Sequence, residues 1–229
     1  MLTQTTTKTS LNGSTSAPKN QLTQILHLLK RTYPEAGNQL IFNDTFELLV
    51  AAILSAQTTD EQVNTVTPTL FAKYPDAAAL AQADRRELQT IIQSLGFARQ
   101  KNRYLITASQ ILVHEYDGEV PDTLHELVKL SGVARKTANI VLQEGFNTVE
   151  GIAVDSYVRR VATRLQLTAG RSTETVESDL TTLVPEAQWG EVGYLFAALG
   201  HDCCTVRNPE CTRCPVAKLC PSAAALNQG

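Results

Sequence analysis

Apolar positions recur along this chain with the 3.6-residue period of helices, one segment after another. Leu22, Ile25, Leu26 and Leu29 form a stripe that runs to Tyr33-Pro34, where the proline ends the turn. Asp44 followed by Glu47 is a capping-box pattern ahead of the apolar stretch Phe46–Leu54, and Asp84 followed by Glu87 repeats it before Leu88, Ile91 and Ile92, with Gly96 as the exit. A further amphipathic helix is predicted over 99–115, closed by Asp117-Gly118 and Pro121. Helices follow at about 123–130, 135–145, 156–166, 173–184 and 187–200. The alternation of a strand is nearly absent, Gly151–Val154 apart, so the expected fold class is all-α with short connections.

Composition narrows the picture. The 229 residues are 43% hydrophobic and 19% charged, ordinary for a chain with a packed core. Residues 1–20 are the exception: mostly Thr, Ser, Asn and Gln with Lys8 and Lys19 as the only charges, they read as a disordered tail. No apolar run is long enough to cross a membrane and no secretory signal is present, so no membrane partner and a cytoplasmic location are expected. The net charge of −3 offers no global attraction for nucleic acid, so any such role must come from local geometry.

Four of the five cysteines fall between Cys204 and Cys220, in the spacing Cys204-x6-Cys211-x2-Cys214-x5-Cys220. An odd count clustered in one loop is a poor disulfide framework and a good set of soft metal ligands in a reducing compartment. Tetrahedral zinc and a [4Fe–4S] cube both suit four thiolates, and a closed four-ligand site implies a structural staple. Cys203 falls outside the spacing.

Leu130-Ser131-Gly132-Val133-Ala134-Arg135-Lys136-Thr137-Ala138 reads as helix, tight glycine turn, helix. Such a turn presents backbone N–H groups at a fresh helix N-terminus, a site for a phosphate irrespective of base. Arg135 and Lys136 then occupy the first turn, where the helix dipole disfavours a cation by roughly 0.3–1 kcal/mol each, so they point to a role other than stability. A lysine there is a candidate nucleophile. Asp155 lies nineteen positions on, as the expected N-cap of the helix from 156. The helix carries the chain about 15 Å away from Lys136, and the connection to Asp155 can span roughly 36–40 Å, so a return is easily made. A carboxylate beside an amine can take its proton or stabilise positive charge developing on a sugar ring.

These motifs together resemble the endonuclease III family of DNA glycosylases. The resemblance spans about residues 21–220 and rests on the cysteine spacing, Leu130–Ala138, Ile152–Val161, Leu54–Asp60 and Gly96–Lys101, all in family order. It implies a two-lobed helix-hairpin-helix glycosylase with a C-terminal [4Fe–4S] loop held by Cys204, Cys211, Cys214 and Cys220. One lobe is a six-helix domain at about 38–148, the other joins 21–37 to 149–229, and DNA lies across the cleft between them. Lys136 matches the family's nucleophile, which attacks C1′, expels the base and forms a Schiff base before β-elimination, and Asp155 matches its essential carboxylate. Gln57 matches the residue that fills the gap left by the extruded base, and Leu95 and Phe97 match a wedge on the opposite strand. Gly132, Ala134 and Arg135 complete the implied DNA contacts.

The implied activity is removal of oxidised pyrimidines from duplex DNA, with strand cleavage at the abasic site. The implied partner is double-stranded DNA bearing a damaged base or abasic site, and a cleft enzyme of this size can work as a monomer. The alternatives are an adenine-mismatch glycosylase, whose relatives lack a lysine at this position, a lesion-binding protein with little turnover, and a zinc-stapled helix-turn-helix regulator. Ala134 stands where the family usually has a second hairpin glycine, Ser131 where it has proline, Ala98 where it has tyrosine and Tyr157 where it has histidine. If position 134 needs positive φ, alanine costs roughly 1 kcal/mol and weakens the grip on phosphate.

Overall fold

The computed structural model describes residues 16–226. In chain order the helices are α1 (Ser16–Thr32), α2 (Thr45–Leu54), α3 (Asp60–Lys73), α4 (Ala77–Ala81), α5 (Arg85–Ile92), α6 (Ala98–Glu115), α7 (Leu124–Leu127), α8 (Arg135–Phe146), α9 (Ser156–Arg164), α10 (Thr173–Leu183), α11 (Trp189–Asp202) and α12 (Ala223–Leu226). No strand occurs among the described residues, and Gly151–Val154 is an extended connection without sheet partners. None of the described helices is long and apolar enough to cross a membrane.

The tail expected over 1–20 lies, up to residue 15, outside the described residues. From Ser16 the chain is already helical, so α1 begins inside that stretch. Pro18 in its first turn removes no helical hydrogen bond, because a backbone N–H at the start of a helix has no acceptor within it.

The predicted caps form. Asp44 accepts from the backbone of Glu47 at 2.8 Å, and Glu47 reaches back to Asn43, through its backbone N–H at 2.7 Å and its side-chain amide at 2.8 Å. Asp84 accepts from Arg86 and Glu87 at 2.9 and 3.0 Å. Three of the described helices escaped the periodicity, α3, α4 and the four-residue α12. In α3 the buried face is Val63, Val66, Thr67 and Leu70, and Pro68 inside it breaks the usual helix signature. α4 is a single capped turn of five residues, too short to show a period.

Two hydrophobic cores result. The first gathers residues from Leu40 to Leu142, with α2 packed against α8 and α6 against α4 and α5. The second joins Leu22, Ile25, Leu26 and Leu29 of α1 to residues from Ile152 to Val216, where α11 packs on α9 and on α1. The chain passes from one core to the other before α2 and after α8. The second passage runs directly into Asp155.

Between α7 and α8 the chain turns at Gly132, with φ +84°. A Cβ there would lie 2.8 Å from the Tyr104 side chain of α6, so the position needs glycine both for its backbone and for space. Gly118 shares the left-handed conformation, φ +88°, but has nothing within 4 Å. Gly118→Ala is expected to cost about 1–2 kcal/mol of stability for the backbone alone. Gly132→Ala adds the clash with Tyr104 and is expected to cost about 1–3 kcal/mol more. Urea unfolding of the two variants measures the difference, and equal losses would remove Tyr104 from the account.

Candidate active site

Lys136 sits in the first turn of α8 and Asp155 immediately before α9, and their side chains meet across the passage between the two cores. Lys136 Nζ donates to Asp155 Oδ2 at 2.8 Å. The other carboxylate oxygen, Oδ1, accepts from the backbone N–H of Tyr157 and of Val158, each at 2.9 Å. Asp155 is therefore cap and amine partner at once, with one oxygen for each task. The lysine is 43% exposed and the aspartate 21%, so the pair is open to a ligand from one side.

That side is a cleft lined by Lys136, Asp155, Ser55, Thr58, Asp60 and Tyr194, drawn from both cores. Tyr194 donates to Glu144 Oε1 at 3.0 Å. Burial, with the Glu144 carboxylate beside it, pushes its phenol well above the ordinary range, so it stays protonated.

α8 opens without a side-chain cap, its N-cap position being Ala134. The first-turn N–H groups beside Gly132 are thus free to meet an anion. Ala134 has φ −87° and ψ 167°, an extended conformation that alanine adopts without strain. The expected penalty for lacking glycine at this position therefore does not arise, and with it goes that argument for weak DNA binding.

Two other expected DNA contacts are corrected. Leu95 is 4% exposed and belongs to the first core, where its removal from water outweighs presentation to a ligand, so it is no surface wedge. Arg135 does not stand free beside the hairpin: its guanidinium grips Glu177 at 2.8 and 3.1 Å, which raises its already high pKa. That pairing gives a cation in the first turn of α8 a partner within the protein.

Gln57 and Phe97 are exposed, and each has a left-handed backbone, φ 55° and 59°. Phe97 is 60% exposed at the N-terminus of α6. The two loops are tied behind the surface by Lys101, 3% exposed, whose ammonium donates to the Thr58 hydroxyl; burial lowers its pKa. Sequence reading missed this lysine, because on an amphipathic helix it looks like one more solvated cation.

The four spaced cysteines line one apolar cavity with Val161, Leu165, Leu199 and Val216. Cys203, outside the spacing, lines it too and is 1% exposed. Burial pushes the thiols of Cys211 and Cys220 up, and that of Cys203 up to about 12. Among the described residues no three His, Cys, Asp or Glu side chains are grouped as a single bound ion needs. Arg164 donates to Cys204 Sγ at 3.2 Å and to the Thr205 carbonyl at 2.7 Å, and Arg160 donates to the carbonyls of Cys204 and Gly200 at 2.8 and 2.7 Å. Arg213, in the same loop, is held by Asp202 and Glu210 at 2.9 and 2.6 Å.

The chain matches the HhH-GPD superfamily of base excision DNA repair proteins over residues 50–186. It is 45% identical over 216 residues to an endonuclease III of Synechocystis sp., covering 94% of this chain and 99% of that one. It is 40% identical to an endonuclease III of Bacillus subtilis, covering 82% and 86%. Among solved structures it resembles a trapped endonuclease III–DNA covalent intermediate, with TM-score 0.84, 36% identity and 90% and 97% of the two chains covered. It also resembles a non-covalent endonuclease III–DNA complex, with TM-score 0.85, 36% identity and coverage of 92% and 99%.

The division of labour within Asp155 predicts how its replacements behave. Asp155→Asn keeps the cap and is expected to stay within about 0.5 kcal/mol of the parent protein, whereas Asp155→Ala is expected to lose about 1 kcal/mol. Chemical denaturation reports both, and an equal loss in the two variants would show that Oδ1 contributes no cap.

Proposed function

The chain belongs to the endonuclease III family of HhH-GPD base excision repair proteins, and we propose that Lys136 and Asp155 carry its chemistry. It is a DNA glycosylase and AP lyase that binds duplex DNA. The finer reading, removal of oxidised pyrimidines, comes from the family resemblance. The observation that carries the catalytic assignment is the 2.8 Å contact between Lys136 Nζ and Asp155 Oδ2 in an open cleft.

Asp155 Oδ2 takes a proton from the Lys136 ammonium and leaves a lone pair on Nζ. That nitrogen attacks C1′ of an extruded nucleotide, the C1′–N bond to the base breaks, and the base leaves with the bonding pair and takes up the proton held by Asp155. Transfer of a proton from Nζ to the ring oxygen opens the sugar and gives an iminium between Nζ and C1′, and the Asp155 carboxylate, ionised again, offsets its positive charge. Loss of a proton from C2′ then expels the 3′ phosphate by β-elimination, and water releases the lysine. Extrusion is least costly for a damaged base, and Gln57 and Phe97 are exposed, as a residue that fills the gap and a wedge on the opposite strand need to be. A trapped covalent intermediate in a structural neighbour supports a covalent route.

The two hydrophobic cores support a division into a lobe at about 38–148 and a lobe joining 21–37 to 149–229. Cys204, Cys211, Cys214 and Cys220 would hold the [4Fe–4S] cluster that the family carries. The cavity they line offers four soft thiols, and the choice of a cube over a single zinc comes from the family resemblance. The cluster supplies a staple for the loop, and the glycosylase chemistry needs nothing more from it. A reducing cytoplasm, where these thiols stay available, fits both the cofactor and a chromosomal substrate.

Borohydride trapping on a duplex with a single abasic or oxidised-pyrimidine site tests the assignment. A covalent adduct is expected from the parent protein, none from Lys136→Ala, and adduct formation slower by roughly 100-fold or more from Asp155→Asn. An undiminished adduct from Lys136→Ala would move the nucleophile elsewhere. Visible absorbance tests the cofactor: Cys203→Ala is expected to keep the broad brown band and Cys211→Ala to lose it, and the reverse pattern would reassign the ligands.

A further inference from the structure

Glu177 of α10 is a carboxylate 5% exposed, remote from the cleft, for which the chemistry above has no use. Its Oε2 accepts from Arg135 Nε at 2.8 Å, and its Oε1 accepts from Arg135 Nη2 at 3.1 Å and from Asn139 Nδ2 at 3.0 Å. Both donors belong to α8 and flank Lys136, one residue before it and three after. The same carboxylate lies against Gly151, where the connection to Asp155 starts: a Cβ at that position would stand 2.1 Å from Oε1 and 3.2 Å from the Asn139 amide nitrogen. One buried group thus touches the helix that carries the amine and the segment that delivers the carboxylate.

Stability is a weak reason for such a group. A buried ion pair often contributes no more than an apolar replacement of similar volume, because desolvation offsets its attraction. Asn139 reinforces the point, since its Oδ1 is buried without a partner and the amide is oriented by Glu177 rather than by its own full satisfaction. Geometry is the stronger reason. Lys136 and Asp155 belong to different cores, and a shift of about 1 Å between reacting groups can cost two orders of magnitude in rate.

We propose that Glu177 is a positioning residue for the catalytic pair, fastening the first turn of α8 to the Gly151–Asp155 connection so that amine and carboxylate meet. The proposal rests on the catalytic reading of Lys136 and Asp155, and extends it to a group that touches neither.

The test compares single-turnover borohydride trapping with equilibrium binding on the same abasic duplex. Glu177→Gln keeps the volume but loses the charge and one acceptor toward Arg135. It is expected to slow trapping by roughly tenfold or more while leaving the Kd within about threefold. Arg135→Lys, at a half-exposed position that does not threaten folding, is expected to show the same split. The double variant is expected to be no slower than the slower single, because both act through one contact. Trapping within about twofold of the parent in either single variant overturns the proposal, as does parallel loss of rate and affinity, or losses that multiply in the double variant. If the parent protein itself gives no adduct, the catalytic reading fails and takes this one with it. An adduct from the parent with Glu177→Gln and Arg135→Lys unimpaired sinks the positioning role alone.

Discussion

The Asp155 carboxylate is the point on which the active end of the molecule depends. Its Oδ1 satisfies two backbone N–H groups at the start of α9, and its Oδ2 faces an amine from another helix. Neither contact is unusual alone. Joined in one side chain they convert the start of a helix, which forms for local reasons, into a fixed acceptor beside a nucleophile. The cap limits rotation of the carboxylate, so the second oxygen is aimed before any substrate arrives. The aim is only as good as the fit between the two cores, since Lys136 packs with one and Asp155 with the other. Polar contacts hold that fit: Tyr194 on Glu144, and Arg135 and Asn139 on Glu177.

A chain with net charge −3 that binds a polyanion must do so through local fields. Here the clearest candidates for phosphate contact are dipoles rather than side chains. The uncapped first turn of α8 behind Gly132 presents oriented N–H groups, which bind phosphate without reading the base and without adding net charge. Arg135, which the family resemblance implies as a DNA contact, is paired with a carboxylate within the protein, and Arg213 of the cysteine loop is paired with two. An interface built this way is expected to release few counterions, and its affinity to respond to salt less steeply than that of a lysine- and arginine-rich surface.

What could be read in advance divides along physical lines. Helix starts with a short-range cap, Asp44, Asp84 and Asp155, were legible because donor and acceptor lie within three residues. The meeting of Lys136 with Asp155 was legible as a possibility, since chain reach permits it, and became specific only through the family pattern. Exposure was not legible: Leu95 and Phe97 are two residues apart in one motif, yet one is 4% and the other 60% exposed. Backbone state at a non-glycine hairpin position was not legible either. Ala134 suggested a strained left-handed residue, and the chain takes an extended one there, leaving the left-handed turn to Gly132 alone. Buried polar partners were the least accessible of all. Glu177, Asn139 and Lys101 read as solvated positions on amphipathic helices, and their partners lie 38 to 43 residues away.

α9 links the cysteine loop to the Lys136–Asp155 pair. The helix is nine residues long, about 13 Å, and starts at the Asp155 carboxylate. Its later turns carry Arg160 and Arg164, which hold carbonyl groups at Gly200, Cys204, Thr205 and Val206 at the entrance to the cysteine loop. α9 is therefore anchored at both ends, by its capping aspartate at one and by the loop at the other. Apart from that of Gly200 in α11, the carbonyls that receive the two arginines lie on a stretch with almost no regular structure, and they stay in place only if the loop keeps one shape. Stapling that loop fixes the far end of α9, and through the helix it restrains the position of Asp155. A metal centre held by these cysteines would thus act on the Lys136–Asp155 pair mechanically, through a short rigid helix.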